Sequence, residues 1–339
     1  MSEDSANVGI APIRRVTGVQ IVGTGSYLPP EVVTNDDLAA LGCDAEWILQ
    51  RTGIRERRHA PPEMTTADMA TSAAQRCLEA AGVDKSEVDL LILATCTPDR
   101  LMPATATTVQ DRLGLRCGAF DLSAVCAGFT YALATGMQFI GSGGARRVLV
   151  IGADAISRIN DPGDKKTYPI FGDGAGAVLL APGSAEQGAL AYMLGADGSG
   201  TELLYRPATG VGTPFCASTS DASSWYMQME GRPVFKWAVR LLAESSSEIL
   251  EFAGLERSQI DWWIFHQANL RILDAAAKEL DIDRERLAVH IDRYGNTSAA
   301  SVPIALDETV RAGGVHSGSH LLLSGFGAGL AWGALAWRW

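Results

Sequence analysis

The chain has little with which to hold a metal ion, a disulfide framework or a nucleic acid. Its six cysteines, Cys43, Cys77, Cys96, Cys117, Cys126 and Cys216, form no CxxC pair and fall at no ligand-like spacing with the five histidines. That pattern argues against a zinc site and against a stapled secreted scaffold. Basic residues are the scarcer sign, 28 against 39 acidic ones, for a formal net charge of −11. Such a balance disfavours nonspecific nucleic-acid binding and leaves any acidic partner dependent on a local basic patch. The glycine-rich stretches GTGSYL at 23, GDGAGA at 172 and GFGAGL at 325 lack GxGxxG spacing and a Walker lysine with its hydroxyl residue, so no dinucleotide cofactor is expected. Residues 1–14 have no apolar signal core and read as a disordered tail on a cytoplasmic protein. One apolar run, LLLSGFGAGLAWGALAW at 321–337, approaches membrane-spanning length. Its glycines, its serine and its lack of basic flanks favour a buried strand pair and no membrane association.

What is present is material for large cores: 339 residues, 47% of them hydrophobic, enough for about two domains or one fused pair. An internal repeat organises them. AAGVDKSEVDLLILATC at 80–96 matches FAGLERSQIDWWIFHQA at 252–268, an offset of 172 residues. In each copy a helix stops at a glycine, a polar turn follows, and an apolar run of strand length begins after an aspartate. The likeness continues at an offset of 173, where CAGFTYAL at 126–133 matches AASVPIAL at 299–306. FGDGAGAVLLAPG at 171–183 and GFGAGLAWGALAW at 325–337 repeat a glycine-rich turn running into a strand. The expected architecture is α/β with two similar halves, residues 15–184 and 185–339, joined near Gly183 to Gln187. Their strand-end loops should open on a shared crevice, with residues 197–230 as an insertion of loops and short strands beside it.

Three segments can supply chemistry at that crevice. Cys126, in DLSAVCAGFTYAL, opens an apolar and therefore buried helix, whose N-terminal N–H groups should push a sulfur towards the nucleophilic thiolate. His266 follows the strand WWIF directly, and Asn296 lies in YGNTSAAS. Singly, these residues read as a core thiol, a satisfied histidine and a turn asparagine; together they define a thiolate with two hydrogen-bond donors. The GFGAG turn adds backbone N–H groups suited to an oxyanion.

The motifs CAGFTYAL, IFGDGAGAVLL, HQANLRI, GNTSAAS and SGFGAGLAWG, in this order and spacing, together with EWILQRTGIRERR at 46–58, resemble β-ketoacyl-acyl-carrier-protein synthase III. The resemblance runs from about Val16 onward. It implies a thiolase-like fold of five layers, αβαβα, and a homodimer with Cys126, His266 and Asn296 as catalytic triad. The oxyanion hole would be the backbone N–H groups of Cys126 and Ala328. The implied reaction condenses an acyl-CoA primer, acetyl by default, with malonyl-acyl-carrier protein; coenzyme A is a substrate moiety and no cofactor is expected. By the same resemblance Trp47, Arg51, Thr52, Lys165, Arg232, Phe235 and Asn269 contact coenzyme A, with Lys165 standing where the family often has arginine and Arg232 where it commonly has asparagine. Met102 would cap the acyl pocket from the partner subunit, and Lys236, Arg271 and Lys278 would dock the carrier protein. The rival within enzymes is a secondary-metabolism relative that uses another primer or transfers the acyl group to a different nucleophile. A thiolase would need a second catalytic cysteine near the C-terminal glycine loop, and no cysteine lies beyond Cys216.

Overall fold

The structure is a computed structural model describing residues 11–208, 210–212 and 222–339. Two five-stranded sheets carry it. The first holds β2 (Val19–Tyr27), β5 (Leu90–Ala94), β6 (Gly118–Leu122), β7 (Val148–Ala155) and β8 (Asp173–Pro182), in the order β2-β8-β7-β5-β6. The second holds β1 (Arg14–Thr17), β9 (Gly188–Ala196), β12 (Trp262–Phe265), β13 (His320–Gly327) and β14 (Ala331–Arg338), in the order β1-β9-β14-β13-β12. Two small ribbons lie outside them: β3 (Glu31–Thr34) with β4 (Glu56–His59), and β10 (Leu204–Tyr205) with β11 (Gln228–Met229). The helices are α1 (Ala45–Thr52), α2 (Thr66–Ala81), α3 (Thr105–Leu113), α4 (Gly128–Gly141), α5 (Gly231–Ala253), α6 (Leu270–Leu280), α7 (Ile291–Tyr294) and α8 (Ser301–Arg311).

Strand periodicity sorts the side chains into layers. Leu91 and Leu93 of β5, with Leu149 and Ile151 of β7, face α2 and α3, whereas Ile92, Val148 and Val150 face inward onto α4 and α8. In β13, Leu321 and Leu323 face that same central layer while Leu322 points to α5 and α6 on the far side. The result is α2/α3, sheet, α4/α8, sheet, α5/α6: five layers, as expected. Each fully buried Leu, Ile or Val contributes about 1.5–3 kcal/mol, and the central helices bury apolar surface against both sheets at once.

The repeat is structural as well as sequential. Asp84 with Glu87, and Glu256 with Gln259, form equivalent capping boxes before β5 and β12. The aspartates that follow do the same work in both halves. Asp89 accepts hydrogen bonds from the N–H groups of Arg146 and Arg147 at the head of β7, and Asp261 accepts one from His320 at the head of β13. The C-terminal apolar run forms the buried antiparallel pair β13–β14. Among the described residues no helix is long and apolar enough to cross a membrane.

The amino end departs from expectation. The tail expected over 1–14 does not extend through its last residues: Ala11 is buried and Arg14 opens β1. Residues 1–10 and Cys216 lie outside the described residues. Gly18, at φ +80°, separates β1 from β2. The first pairs with β9 in the second sheet, and β2 pairs with β8 in the first.

Candidate active site

Cys126 and Asn296 stand at equivalent points of the two halves. Each lies in or just before a 3-10 turn that feeds a central helix, residues 125–127 before α4 and 298–300 before α8. Both turns contain a non-glycine residue in the left-handed region, Val125 at φ +47° and Ser298 at φ +51°. A β-branched residue such as Val125 is strained there, and both turns line the same cavity.

The Asn296 loop is gripped by the other half. Its N–H donates to the Ile170 carbonyl at 2.9 Å, and its own carbonyl accepts from the Gly172 N–H at 3.0 Å. Only a glycine fits at 172, because a Cβ would strike the Tyr294 carbonyl oxygen. The Asn296 side chain is oriented by one bond: Oδ1 accepts from the Ser298 N–H at 2.9 Å. Nδ2 has no hydrogen-bond partner among the described residues and remains able to donate.

Cys126, His266 and Asn296 all line a single cavity of about 770 Å³. His266 reaches it from the end of β12, its N–H donating to the Ser324 carbonyl at 2.7 Å and its ring set edge-on to Phe326 with centroids 5.1 Å apart. Gly327, the last residue of β13, and Ala328 after it line the cavity with Cys126. A Cβ on Gly327 would sit 2.8 Å from the Cys126 Cβ and 3.2 Å from its Sγ.

Burial sets the protonation states. It pushes the Cys126 thiol up to about 12, with Ser298 lowering the value through a hydrogen bond and the Asp154 carboxylate raising it. This runs against the thiolate expected from the helix start: with desolvation the largest influence on the sulfur, the resting nucleophile is the neutral thiol. Burial, helped by His290, brings His266 down to about 3. The imidazole is therefore neutral across physiological pH and, in its Nε2–H tautomer, is a hydrogen-bond donor.

The sequence-named substrate residues divide. Trp47, Arg51, Thr52, Lys165, Arg232, Phe235, Asn269 and Arg271 line the cavity. The Arg51 guanidinium lies 4.8 Å from the Trp47 ring centroid, and Arg271 lies 5.7 Å from that of Phe235. Asn269 is occupied structurally: Oδ1 caps α6 through the Arg271 N–H, and Nδ2 donates to the Arg51 carbonyl. Lys236 and Lys278 are exposed and are not on the cavity wall. Met102 is 84% exposed, outside the cavity of its own chain.

Lining residues not expected from the sequence include Lys166, Arg206, Met227, Cys96 and Ser298. The first adjoins Lys165 and the last lies in the quoted GNTSAAS motif, so both had a signal. Arg206 and Met227 come from the 197–230 insertion, which has no periodicity to place them. With Arg51, Lys165, Lys166, Arg206, Arg232 and Arg271 at its wall and Glu230 as the single acidic side chain among the lining residues, the cavity concentrates positive charge in an acidic protein. An anionic substrate is favoured there.

Two duplicated α/β halves, with a thiol, a neutral imidazole and a carboxamide converging between them, define a thiolase-fold condensing enzyme. Comparison with known proteins agrees. The family model described as 3-oxoacyl-[acyl-carrier-protein (ACP)] synthase III matches residues 120–198, and that for its C-terminal part matches residues 250–339. The β-ketoacyl-[acyl-carrier-protein] synthase III of Rhodopirellula baltica is 51% identical, with 95% of this chain and 99% of that one covered. The solved structure of the enzyme of that name from Thermus thermophilus has a TM-score of 0.88 at 44% identity, covering 94% of this chain and 98% of that one. The corresponding 3-oxoacyl-[acyl-carrier-protein] synthase III from Aquifex aeolicus gives 0.87 at 44%, covering 95% of this chain and 100% of that one. The chain belongs to the β-ketoacyl-acyl-carrier-protein synthase III family.

Proposed function

We propose that the protein joins an acyl-CoA primer, acetyl by default, to malonyl-acyl-carrier protein with loss of carbon dioxide, producing the β-ketoacyl-acyl-carrier protein that opens fatty acid synthesis. The observation that carries this reading is the meeting of Cys126, His266 and Asn296, drawn from both halves, on one cavity.

In the first half-reaction Cys126 Sγ attacks the acyl carbonyl carbon. The oxyanion is received by the backbone N–H groups of Cys126 and Ala328. The carbon–sulfur bond to coenzyme A then breaks, and the departing thiolate takes up the proton that Cys126 gave away. In the second, the malonyl thioester loses carbon dioxide, and the electron pair of the broken bond becomes an enolate. His266 Nε2–H and Asn296 Nδ2–H donate to its oxygen. The enolate carbon attacks acyl-Cys126, the thioester to the enzyme breaks, and Cys126 regains a proton from solvent. A neutral imidazole suits this task, since it supplies a donor without a charge that must be desolvated.

The cationic wall supports binding of the phosphate groups of coenzyme A and of the carrier protein's prosthetic arm, with Trp47 and Arg51 at the nucleotide. Arg271, with Lys236 and Lys278 beyond the rim, would meet the carrier protein. The proposal includes a cytoplasmic homodimer: Leu101 and Met102 are 78% and 84% exposed, an apolar pair that a second subunit would cover and that would bring Met102 to the partner's acyl pocket.

The test is intact-protein mass measurement with a panel of acyl-CoA thioesters, followed by addition of malonyl-acyl-carrier protein. The wild type should gain one acyl mass and then form the ketoacyl product, whereas Cys126→Ala should gain none. His266→Ala should keep self-acylation and lose about 100-fold or more in condensation, the scale of one missing oxyanion donor. Normal acylation of Cys126→Ala, or acylation of the wild type without condensation, would overturn the reading.

A further inference from the structure

Asp154 is wholly buried at the end of β7, and the chemistry above makes no use of it. Every hydrogen bond its carboxylate makes is one it accepts. Oδ1 takes the Thr95 hydroxyl at 3.0 Å, the Cys96 N–H at 2.8 Å, the Thr97 N–H at 3.2 Å and the Thr97 hydroxyl at 3.0 Å. Oδ2 takes the Ala299 N–H at 3.0 Å, 145 residues away in the other half. One carboxylate thus holds the end of β5 on one side and the turn after Asn296 on the other.

That turn is the part of the site with the least freedom to err. Ser298, left-handed and buried, gives its N–H to Asn296 Oδ1, which aims the amide, and its hydroxyl lies 3.8 Å from Cys96 Sγ beside Cys126. Ala299, the next residue, is the one Asp154 holds. Resting on the condensation reading, we propose that Asp154 is a positioning residue for that reaction, fixing the Asn296–Ser298 turn of one half against the Cys126 nucleophile of the other. It acts through Ala299 and touches no substrate.

The charge has a second consequence. Asp154 raises the thiols of both Cys126 and Cys96. Cys96 interacts with Cys126 and in turn with Arg206, and His266, on the same cavity wall, is neutral. The carboxylate therefore orders the decarboxylation site while restraining the thiol. A residue that merely filled space would affect both activities in the same direction, so the two readouts separate the cases.

Asp154→Asn keeps the shape, but its amide nitrogen must face a donor, and the Ala299 bond is the one whose loss frees the turn. Condensation by the acylated enzyme should fall at least about tenfold in kcat with KM for malonyl-acyl-carrier protein little changed, the pattern of a lost transition-state interaction. Over the same pH range, alkylation of Cys126 by iodoacetamide should become faster at each pH, at least about threefold at pH 7, since the thiolate fraction grows tenfold per unit of pKa lowering. Thr95→Val keeps the carboxylate and its bond to Ala299 but removes one of the donors that fix it, so condensation kcat should fall less than in Asp154→Asn, about threefold, with KM again little changed. It serves also as the test should Asp154→Asn fail to fold by circular dichroism. Unchanged condensation in Asp154→Asn, a loss carried by KM rather than kcat, or, where that variant does not fold, unchanged condensation in Thr95→Val, would overturn the proposal. A wild type that never condenses would instead overturn the reading beneath it.

Discussion

At the scale of single residues, the site works with neutral groups. A thiol pushed up to about 12 and an imidazole brought down to about 3 leave neither partner charged near neutrality. As pH rises toward 12, the Cys126 thiolate fraction climbs. Iodoacetamide alkylation of the free enzyme, followed by mass, should therefore accelerate about tenfold per pH unit from 6 to 9. A plateau near pH 8 would show that the helix start prevails after all. His266 should add no acidic limb between pH 5 and 8 to the condensation rate, because its protonation falls well below that window. Which residues were legible in the sequence follows from where their signals lie. Cys126, His266 and Asn296 each adjoin an apolar run or a small-residue helix start, so local pattern exposed them. Asp154 sits inside VLVIGADA, where an acid in a strand has no local explanation. Its donors come from residues 95–97 and 299, and only folding brings these together.

At the scale of elements, glycine placement makes the close approach of the halves possible. A Cβ on Gly327, at the end of β13, would lie 2.8 Å from the Cys126 Cβ, 3.1 Å from its backbone nitrogen and 3.2 Å from its sulfur. Gly327→Ala should lower stability by about 1–3 kcal/mol, the usual cost of overpacking, and should cut self-acylation at least about tenfold by displacing the nucleophile. Thermal unfolding and acyl mass gain measure the two effects separately, and wild-type values in both would contradict the geometry. The GFGAG turn was legible as a place where backbone comes near the chemistry. The docking helices were less so: spacing shows that Arg271 and Lys278 share a face, but not where the cavity rim ends. Only Arg271 reaches the wall.

At the scale of the molecule, the duplication was visible in sequence because the same strand-ordering aspartates, capping boxes and central helices are needed twice. The bulk charge of −11 gave no hint of the cationic cavity, since clustering of six basic side chains is a property of the fold. Association of two chains is the prediction at this scale. Sedimentation should give a dimer, and Met102→Asp should move it toward monomer while altering primer preference in the acylation panel. A wild type that stays monomeric at micromolar concentration would remove Met102 from the acyl pocket.

The break at Gly18 also bears on how such a doubled chain holds together as one object. Because a single short stretch starts in the carboxyl-terminal sheet and finishes in the amino-terminal one, the two copies are laced together by one segment. Cutting the polypeptide between β8 and β9 would leave each fragment dependent on a strand or a loop carried by its sibling. The two copies have become interdependent, and neither can drift or detach without unstitching the pocket they enclose.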